Sequence, residues 1–501
     1  MIDVRRMQPR SISTDILIIG AGPAGAAAAC ALVSWGHRVV LVDRPGGDSG
    51  RLAESIPPSA RKLLTILGLA EAVDRAGFVP WRGNTVWWAG SGPRVESFAA
   101  GEAGYQVIRR DFDRCLRDAA SAAGAVVLTG AIREVHVDPE VRAAVDVHGA
   151  AVDVTARFVL DASGRAGVLA RRGWRVADPS HHTVALAGVW QSAGGWPGVD
   201  NTHTLVASYA DGWAWSVPVA PSIRHITVMV DPERTGLARG ASSRDVYLGE
   251  LEKVTPLGAL VSGAELVEGP WGADASLYSA RQYAGSGWLL LGDAGTAIDP
   301  LSSFGVKKAL ASAWLGAVAV HTALINPAMS ADAFAFFDRR ERTMYTAARR
   351  QAADYAASAA ADTAHAYWLV RAGVSNGAAE DEGEPDAALL RRDPAVLAAF
   401  DDLKRRASIR LRLDDDARIA PAAAVRGHEI IHDDHLFGPA IPDGLRFLRG
   451  VDLVHLVREA GRHDDAGALY AACAAARPAM TLPDFFGALS WLVAIGVLRH
   501  G

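Results

Sequence analysis

The amino-acid sequence predicts an α/β fold that begins with a Rossmann-like nucleotide-binding unit. Two observations support this prediction. Residues 15–19 form a short apolar strand pattern that runs directly into a glycine-rich turn, residues 20–25. An alanine-rich helix pattern then reaches about Trp35, and a second strand pattern ends in Asp43. A glycine turn alone is a weak indication, but strand, turn, helix and terminal acid in this order are typical of a dinucleotide site.

Each small residue of the turn has a distinct physical role. Gly20 permits the tight turn, and Gly22 lets the backbone approach a pyrophosphate. Gly25 lets the helix pack closely against the strand. The free amides at the start of the helix, including that of Ala24, face the phosphates and stabilise their charge. These four positions are therefore predicted to contact the dinucleotide.

Charged side chains at predicted strand ends extend this site. Asp43 is placed to accept hydrogen bonds from ribose hydroxyls, and Arg44 beside it is a candidate contact to adenine or phosphate. Two further strand patterns end at Asp161 and just before Asp293. Asp293 is placed to accept hydrogen bonds from the hydroxyls of a ribityl chain. The amides of residues 300–306, at the start of the next helix, can stabilise the negative charge of a reduced cofactor ring.

Three motifs occur in a fixed order, at residues 20–25, 156–165 and 287–306. Together they resemble the FAD-dependent aromatic hydroxylase and flavin-halogenase superfamily, from residue 14 to about residue 370. The resemblance implies an FAD-binding domain of the p-hydroxybenzoate hydroxylase type with an inserted mixed-sheet substrate domain. It also implies FAD as the cofactor, with Pro300 and Gly305 in the loop at the flavin ring.

Shorter segments look like those of the maturation flavoproteins that hydroxylate a tryptophan of a partner polypeptide: residues 53–60, 105–113 and 299–303. These proteins serve quinocofactor enzymes, and their product is a tryptophylquinone precursor. The resemblance implies that Arg109 helps to hold FAD and that the loop of Glu54 lies near the flavin ring. Glu54 and Asp299 are the candidate catalytic proton acceptors, although either carboxylate can be purely structural.

A halogenase is the main alternative. Residues 213–218 nearly match the Trp-x-Trp-x-Ile-Pro signature of flavin halogenases, with valine in place of isoleucine. Trp213, Trp215 and Phe304 are the candidate walls of the substrate pocket. A half-buried strand face and core packing explain these aromatic side chains equally well.

Two departures weaken the halogenase interpretation. The halogenases carry a lysine after the glutamate loop, whereas this sequence has no lysine between Lys62 and Lys253. The matching region has Arg82 instead, and arginine stays charged and is a poor nucleophile. Ser302 also stands where tryptophan halogenases have a glutamate. These departures favour hydroxylation over halogenation.

The predicted function is that of an FAD-dependent monooxygenase that hydroxylates a tryptophan of a partner polypeptide during cysteine tryptophylquinone biogenesis. The resemblance implies that oxygen reaches the ring through a flavin C4a-hydroperoxide. The alternatives are a halogenase of an indole or pyrrole and a non-catalytic, flavin-bearing binding module. Only one glycine fingerprint is present, so the reductant is either transiently bound NAD(P)H or a separate flavin reductase.

Periodicity divides the chain into an FAD-binding domain (1–80, 105–175 and 280–330), a substrate domain (81–104 and 176–279), a helical segment with an acidic linker (331–405) and a C-terminal module (406–501). In the last region, short strand patterns precede helix patterns over residues 445–459, 467–476 and 482–497. This order resembles a winged-helix module that captures a substrate chain. A helical subdomain that covers the active site or forms a dimer contact is the alternative.

One motif suggests a metal but does not fit its context. His428-Glu-Ile-Ile-His432 matches a zinc-protease pattern, which requires a helix so that both histidines share one face. The preceding Gly427 and the two β-branched isoleucines favour a strand and hairpin instead. We therefore predict no metal site.

Composition limits the remaining possibilities. Three scattered cysteines argue against a disulfide framework and favour a reducing, cytoplasmic setting. No signal peptide or membrane span is predicted. The net charge of −5, with basic residues spread along the chain, gives no reason to expect nucleic acid as a partner.

Overall fold

A computed structural model describes residues 10–44, 51–90, 92–179, 182–373, 392–406 and 408–501, apart from the side chains of Arg10 and Ser302. The chain divides into two compact units, Met1–Gly377 and Ala378–Gly501. The predicted acidic linker, residues 373–385, lies almost wholly outside the described residues. The described elements confirm the mixed α/β class.

The first unit contains the strands β1 (Arg10–Ser13), β2 (Ile16–Ile19), β3 (Val39–Asp43), β4 (Ala53–Ile56), β5 (Val79–Trp81), β6 (Gly83–Trp87), β7 (Arg94–Ser97), β8 (Gly104–Ile108), β9 (Val126–Thr129), β10 (Ala131–His136), β11 (Val141–Val147), β12 (Ala150–Ala156), β13 (Phe158–Asp161), β14 (Arg175–Ala177), β15 (Val184–Gln191), β16 (His203–Tyr209), β17 (Gly212–Ala220), β18 (Ile223–Val230), β19 (Glu265–Asp274), β20 (Tyr278–Ala280), β21 (Ala284–Gly285) and β22 (Trp288–Leu290). Its helices are α1 (Pro23–Ser34), α2 (Arg61–Ile66), α3 (Ala70–Arg75), α4 (Arg109–Ala123), α5 (Ser243–Lys253), α6 (Thr255–Leu260), α7 (Gly305–Ile325), α8 (Ser330–Thr363) and α9 (Ala366–Ala372).

A six-stranded sheet forms the centre of the first unit, in the order β21-β22-β13-β2-β3-β9. Neighbouring strands are parallel except β21, which is antiparallel to β22. Every residue of β2 and β13 is buried, as expected for a parallel sheet covered on both faces. The carboxyl ends of β2, β3, β13 and β22 therefore meet at one edge, where ligands bind in open α/β sheets.

A seven-stranded mixed sheet forms the second layer of the first unit, in the order β19-β15-β18-β17-β16-β6-β7. Its strands are antiparallel except for the pair β6 and β16. One face packs against α5 and α6 through a core that includes Tyr247 and Leu251. The other face carries aromatic side chains toward α8 and α9. The strands of this sheet lie within residues 81–104 and 176–279, which the sequence analysis predicts to be the substrate domain.

The long apolar helix α7 is a core element. By length and composition it could cross a membrane, but most of it is buried, and it packs against α1 and α8. The sequence predicted one helical stretch from residue 331 to about 372. The structure divides it into α8 and α9, because Ala364 adopts a left-handed conformation with φ 46° and ends α8.

The second unit is an α+β module. Its elements are α10 (Pro394–Arg405), β23 (Leu411–Leu413), β24 (Arg418–Arg426), β25 (Glu429–Gly438), β26 (Ile441–Leu445), β27 (Phe447–Leu448), β28 (Val451–Asp452), α11 (Leu453–Ala460), α12 (Ala466–Ala476), α13 (Leu482–Ala494) and β29 (Leu498–His500). Strands β24, β25 and β26 form an antiparallel sheet, and β23 pairs with β29. Helix α10 packs against α13.

Two features of this unit bear on the sequence analysis. The predicted helix over residues 445–459 begins only at Leu453, because Arg449 and Gly450 have φ values of 51° and 81° and the chain before them is extended. The zinc-protease-like segment lies at the start of strand β25, so its two histidines do not share a helix face. Within the described residues, no group of three or more His, Cys, Asp or Glu side chains is arranged to hold a metal ion.

Candidate active site

The glycine-rich turn between β2 and α1 is tightly packed on one side and open on the other. Gly20 has φ 99°, and a Cβ atom there would lie 2.5 Å from the carbonyl oxygen of Ala162. A Cβ on Gly25 would lie 1.8 Å from the carbonyl oxygen of Gly20. At Gly22 the nearest atom to such a Cβ is Oδ2 of Asp113, 3.8 Å away. The turn therefore requires glycine at two positions and leaves space at the third, which fits a pyrophosphate.

Backbone donors face this space from the first turn of α1. Pro23 occupies the first helical position and has no N–H, and the amide of Ala26 already donates to the carbonyl of Gly22. The amides of Ala24 and Gly25 precede the first helical hydrogen bond, so they are available to an anion. No side chain caps this helix start. A phosphate group would supply the missing acceptor.

Two other loops meet the glycine turn. The loop after β13 reaches it through Ala162, whose carbonyl faces Gly20. Gly292, just after β22, lies against both α1 and α7, since a Cβ there would be 3.1 Å from the Cβ of Ala24 and 3.4 Å from that of Ala309. The three sequence motifs thus converge at the carboxyl edge of the six-stranded sheet.

Asp161 shapes one of these loops. Its side chain is fully buried and accepts hydrogen bonds from the amides of Ser163 (3.0 Å) and Leu169 (2.7 Å). The hydroxyl of Ser163 donates to the same carboxylate. Asp161 therefore holds the loop after β13 against the glycine turn rather than facing a ligand.

Arg109, at the start of α4, links two carboxylates beside the glycine turn. Its Nη1 lies 2.7 Å from Oε1 of Glu54, and its Nε and Nη2 lie 2.9 and 3.1 Å from the two oxygens of Asp113. Burial alone would lower the pKa of Arg109, but the two carboxylates outweigh burial and raise it. Because Asp113 is also the nearest side chain to Gly22, this cluster lies next to the predicted pyrophosphate site.

The predicted ribose contact is also held by a residue of α4. Asp43 is the last residue of β3, and its Oδ2 is 3.0 Å from Nη1 of Arg117 on α4. Arg117 therefore orients the carboxylate, whose other oxygen stays available to ribose hydroxyls. Arg44 follows with an exposed side chain.

Asp293, in the loop after β22, forms a close ion pair with Lys308 on α7. The distance from Lys308 Nζ to Asp293 Oδ1 is 2.6 Å, and the same ammonium group donates to the carbonyl of Thr296. Burial alone would raise the pKa of Asp293, but the Lys308 ammonium more than offsets this effect and the net pKa is lowered. Lys308 is 5% exposed, so it ties this loop to α7 from within the protein.

The loop before α7 holds the remaining predicted flavin contacts. Asp299 accepts a hydrogen bond from the amide of Leu301 at 2.9 Å and so caps the turn that starts at Pro300. Phe304 immediately precedes Gly305, the first residue of α7.

An ammonium group lies over the ring at the end of this loop. The Nζ atom of Lys307 is 4.8 Å from the ring centroid of Phe304, which is within the range of a cation–π contact. Burial lowers the pKa of Lys307. The side chain of Ser302, where tryptophan halogenases carry a glutamate, lies outside the described residues.

The two tryptophans of the halogenase-like signature lie on one face of β17. The rings of Trp213 and Trp215 stack with centroids 4.8 Å apart and an interplanar angle of 27°. Trp213 is 3% exposed and belongs to a core that includes Trp88 and Trp368, whereas Trp215 is only partly buried. Leu301 of the flavin loop packs against the same core. Because Trp215 is only partly buried, it is the better candidate of the two tryptophans for a wall of the substrate pocket.

Several residues of this site were not identified from the sequence: Asp113, Arg117, Lys307 and Lys308. The Arg109–Asp113 pair has the i, i+4 spacing of a helical ion pair and could have been found. The Lys307–Phe304 contact, with i, i+3 spacing, is also local, whereas the contacts of Arg117 and Lys308 depend on how α4 and α7 pack against the sheet. No local pattern reports that packing.

Taken together, the residues present fit FAD. The turn leaves space at Gly22, free amides face that space, and acidic side chains end β3 and the loop after β22 at positions suited to ribose and ribityl hydroxyls. These residues would hold the dinucleotide along the carboxyl edge of the sheet. The loop of residues 299–305 would lie at the flavin ring, with α7 starting beside it.

Comparisons with known proteins agree with this geometry. Residues 13–313 match the family model described as FAD binding domain. Flavin-dependent halogenase armH3 of Armillaria mellea is 29% identical over 372 residues, covering 67% of this chain and 72% of that protein. Tryptophan 2-halogenase of Chondromyces crocatus is 30% identical over 338 residues, covering 65% of each chain.

Two solved structures show the same fold over nearly the whole chain. The flavin-dependent halogenase CmlS has a TM-score of 0.78 at 22% identity, covering 98% of this chain and 96% of CmlS. The peptidyl tryptophan dihydroxylase QhpG, described as essential for tryptophylquinone cofactor biogenesis, has a TM-score of 0.67 at 24% identity, covering 97% and 100%. The chain belongs to the FAD-binding-domain family, within the FAD-dependent aromatic hydroxylase and flavin-halogenase superfamily, and is a flavin-dependent oxidoreductase that uses O2.

Proposed function

We propose that this enzyme halogenates an electron-rich aromatic ring, with FAD, O2, a reductant and a halide ion. The observation that supports halogenation most directly is the position of Lys307, whose ammonium group lies over the Phe304 ring at the end of the flavin loop. The sequence argument against halogenation rested on the lack of a lysine between Lys62 and Lys253. Lys307, far outside that interval, brings an amine to the flavin loop. The curated relatives named above are also halogenases.

Reduction of O2 to two water molecules takes four electrons: two come from the oxidation of the aromatic ring together with the halide, and two come from the reductant through FAD. An aromatic C–H bond is replaced by a carbon–halogen bond, the halide supplies the halogen, and both oxygen atoms of O2 leave as water. Bound FAD, once reduced, supplies the electrons and the reactivity toward O2. The reductant is NAD(P)H or reduced flavin from a separate reductase.

The chain's own residues have three tasks. Lys307 directs the electrophilic halogen species toward the ring, a role helped by burial, which lowers the pKa of its amine. The Phe304 and Trp215 side chains orient the aromatic substrate by stacking. A carboxylate takes the proton that leaves the ring, and Asp299 in the flavin loop and Glu54 beside Arg109 are the two candidates for this role.

Mass spectrometry of the product tests the proposal. The FAD-loaded enzyme is incubated with a flavin reductase, NADH and O2, and with free tryptophan, indole, a pyrrole or a tryptophan-containing polypeptide. Parallel reactions contain bromide, chloride or no halide. A bromide-dependent product with the bromine isotope pattern is expected. Turnover of flavin without any halide-dependent product in the whole panel contradicts halogenation.

Matched variants test the assigned lysine. Lys307→Met is expected to lower halogenation at least tenfold while the rate of flavin oxidation by O2 is maintained. Lys62→Met changes an exposed lysine on α2 and is expected to have no effect. Equal halogenation by wild type and Lys307→Met would remove Lys307 from the mechanism.

Hydroxylation of a tryptophan in a partner polypeptide is the second candidate. It is favoured by Arg82, which replaces the lysine expected after the Glu54 loop and has an exposed side chain. QhpG, which shares the fold along its whole length, is described as acting on a peptidyl tryptophan. In that case one oxygen atom enters the product and one leaves as water. The same assay distinguishes the candidates, because a product heavier by oxygen and independent of halide indicates hydroxylation.

A further inference from the structure

A small cavity in the second unit has an unusual lining. It measures about 190 Å³ and lies between α11, the end of α12 and the short strand β28. Three arginines, a histidine, a single carboxylate and a thiol line it: Arg446, Arg458, Arg477, His455, Asp452 and Cys473.

The charge at this cavity is positive on balance. Asp452 is paired with Arg446 at 2.7 Å and also accepts from the amide of His455, so its charge is already compensated. Arg458 is paired with Asp434. Arg477 lies 4.4 Å from the ring centroid of Phe447, and none of the ion pairs found among the described residues involves it. One guanidinium charge therefore remains without an acidic partner.

Two buried side-chain nitrogen atoms at the cavity lack hydrogen-bond partners. Nε of Arg446 and Nε2 of His455 are shielded from solvent, and neither has a hydrogen-bond partner among the described residues. Buried polar atoms are nearly always paired, so a hydrogen-bonding group belongs near these atoms. Nε2 of His455 can donate to an anion when it carries a proton. The Nε of arginine can only donate, which requires an oxygen-type acceptor rather than another donor.

The cavity size limits the acceptor. A volume of about 190 Å³ holds a few atoms and some water, which suits a phosphate or a carboxylate group and excludes a nucleotide. Burial raises the pKa of the Cys473 thiol to about 11, so the thiol stays neutral and does not oppose an anion. We propose that this cavity of the second unit binds a small oxyanion, phosphate or carboxylate, held by Arg477, Arg446 and His455. This proposal does not depend on the function proposed for the first unit.

Calorimetry with the full-length, FAD-loaded protein tests the site. Inorganic phosphate alone and acetate alone are titrated at constant ionic strength, with chloride as the reference anion. Saturable binding of phosphate identifies a phosphate site, and saturable binding of acetate without phosphate identifies a carboxylate site. Hydrogen exchange should slow in peptides covering α11 and α12 when the bound anion is present. If both anions give only the linear, non-saturable heat seen with chloride, the proposal is wrong.

Variants locate the binding. Arg477→Met changes an exposed side chain at the rim, so the fold should be kept, and it is expected to weaken anion binding at least tenfold. His455→Gln is expected to weaken binding less, because the glutamine amide can still donate. Arg462→Met removes an exposed arginine of the same unit that is paired with Glu459 and is expected to have no effect. Equal weakening by Arg462→Met and Arg477→Met would mean that general surface charge, rather than this cavity, binds the anion.

Discussion

Glu341 offers a quantitative test of the buried polar network behind the Asp293 loop. The Glu341 side chain, on α8, is 4% exposed, and its Oε2 has no hydrogen-bond partner among the described residues. Burial raises the pKa of this carboxyl to about 7, although a hydrogen bond with Ser312 and the charge of Lys308 act in the opposite direction. Ser312 also accepts from the amide of Gly292, so the network reaches the loop of the FAD site.

The sign of the pH effect follows from the raised pKa of Glu341. An acid whose pKa rises on folding contributes its full stability below the unfolded pKa and loses it as the pH rises through the folded pKa. This loss runs from about pH 4.5 to about pH 7. At about 1.4 kcal/mol per pH unit, it amounts to roughly 3 kcal/mol.

Glu341→Gln removes this titration. The unfolding free energy of the variant relative to wild type should therefore rise by roughly 2 to 3 kcal/mol between pH 5 and pH 8. The buried glutamine amide has a hydrogen-bonding cost of its own, but that cost does not depend on pH. Only the pH dependence of the difference is therefore diagnostic.

The assay is urea unfolding at pH 5, 6, 7 and 8 with saturating FAD, followed by hydrogen exchange in peptides of the first unit. Following those peptides separates this transition from that of the second unit. Glu71→Gln, at an exposed carboxylate on α3, is the matched control and should give a pH-independent difference. A pH-independent difference for Glu341→Gln as well would refute the assigned burial of the charge.

Two further predictions concern FAD binding. Lys308→Met leaves the Asp293 carboxylate without its partner and should raise the FAD dissociation constant, measured by fluorescence titration, at least tenfold. In the Asp293→Asn background the same change should add little. Equal effects in both backgrounds would show that Lys308 does not act through Asp293. Gly25→Ala places a Cβ 1.8 Å from the Gly20 carbonyl oxygen and should abolish FAD loading, whereas Gly194→Ala, in open space, should load normally; normal FAD absorbance in Gly25→Ala protein would contradict the packing argument.

The first part of the fold was predictable because its signals are local. The unit β2–α1–β3 follows from a buried strand pattern, a glycine turn and a helix pattern that are contiguous in sequence. The predicted start of a helix at residue 445 was wrong, because apolar periodicity alone does not report the left-handed conformations of Arg449 and Gly450, and the helix begins at Leu453. The order of the seven-stranded sheet, which pairs β6 with the distant β16, was also beyond local patterns.

In the candidate site, too, single residues were predictable from the sequence and contacts between distant elements were not. The sequence identified Asp293 and Arg109, but their partners depend on which helices pack beside the sheet. Lys308 is fifteen positions from Asp293 in the chain, and Glu54 lies far before Arg109. The sequence alone therefore identifies the charged side chains of the site but does not show which of them form ion pairs.

The lysines of α7 show why contacts between distant elements matter for the choice between halogenation and hydroxylation. A missing lysine in one interval of the sequence excludes an amine from the pocket only if no other element delivers one. Helix α7 starts at the end of the flavin loop, so both lysines of its first turn lie near that loop. Lys308 forms an ion pair with Asp293, and Lys307 lies over the ring of Phe304. Of the two amines, Lys307 is the one to which the proposed halogenation assigns a role, so the Lys307→Met variant is a direct test of that proposal.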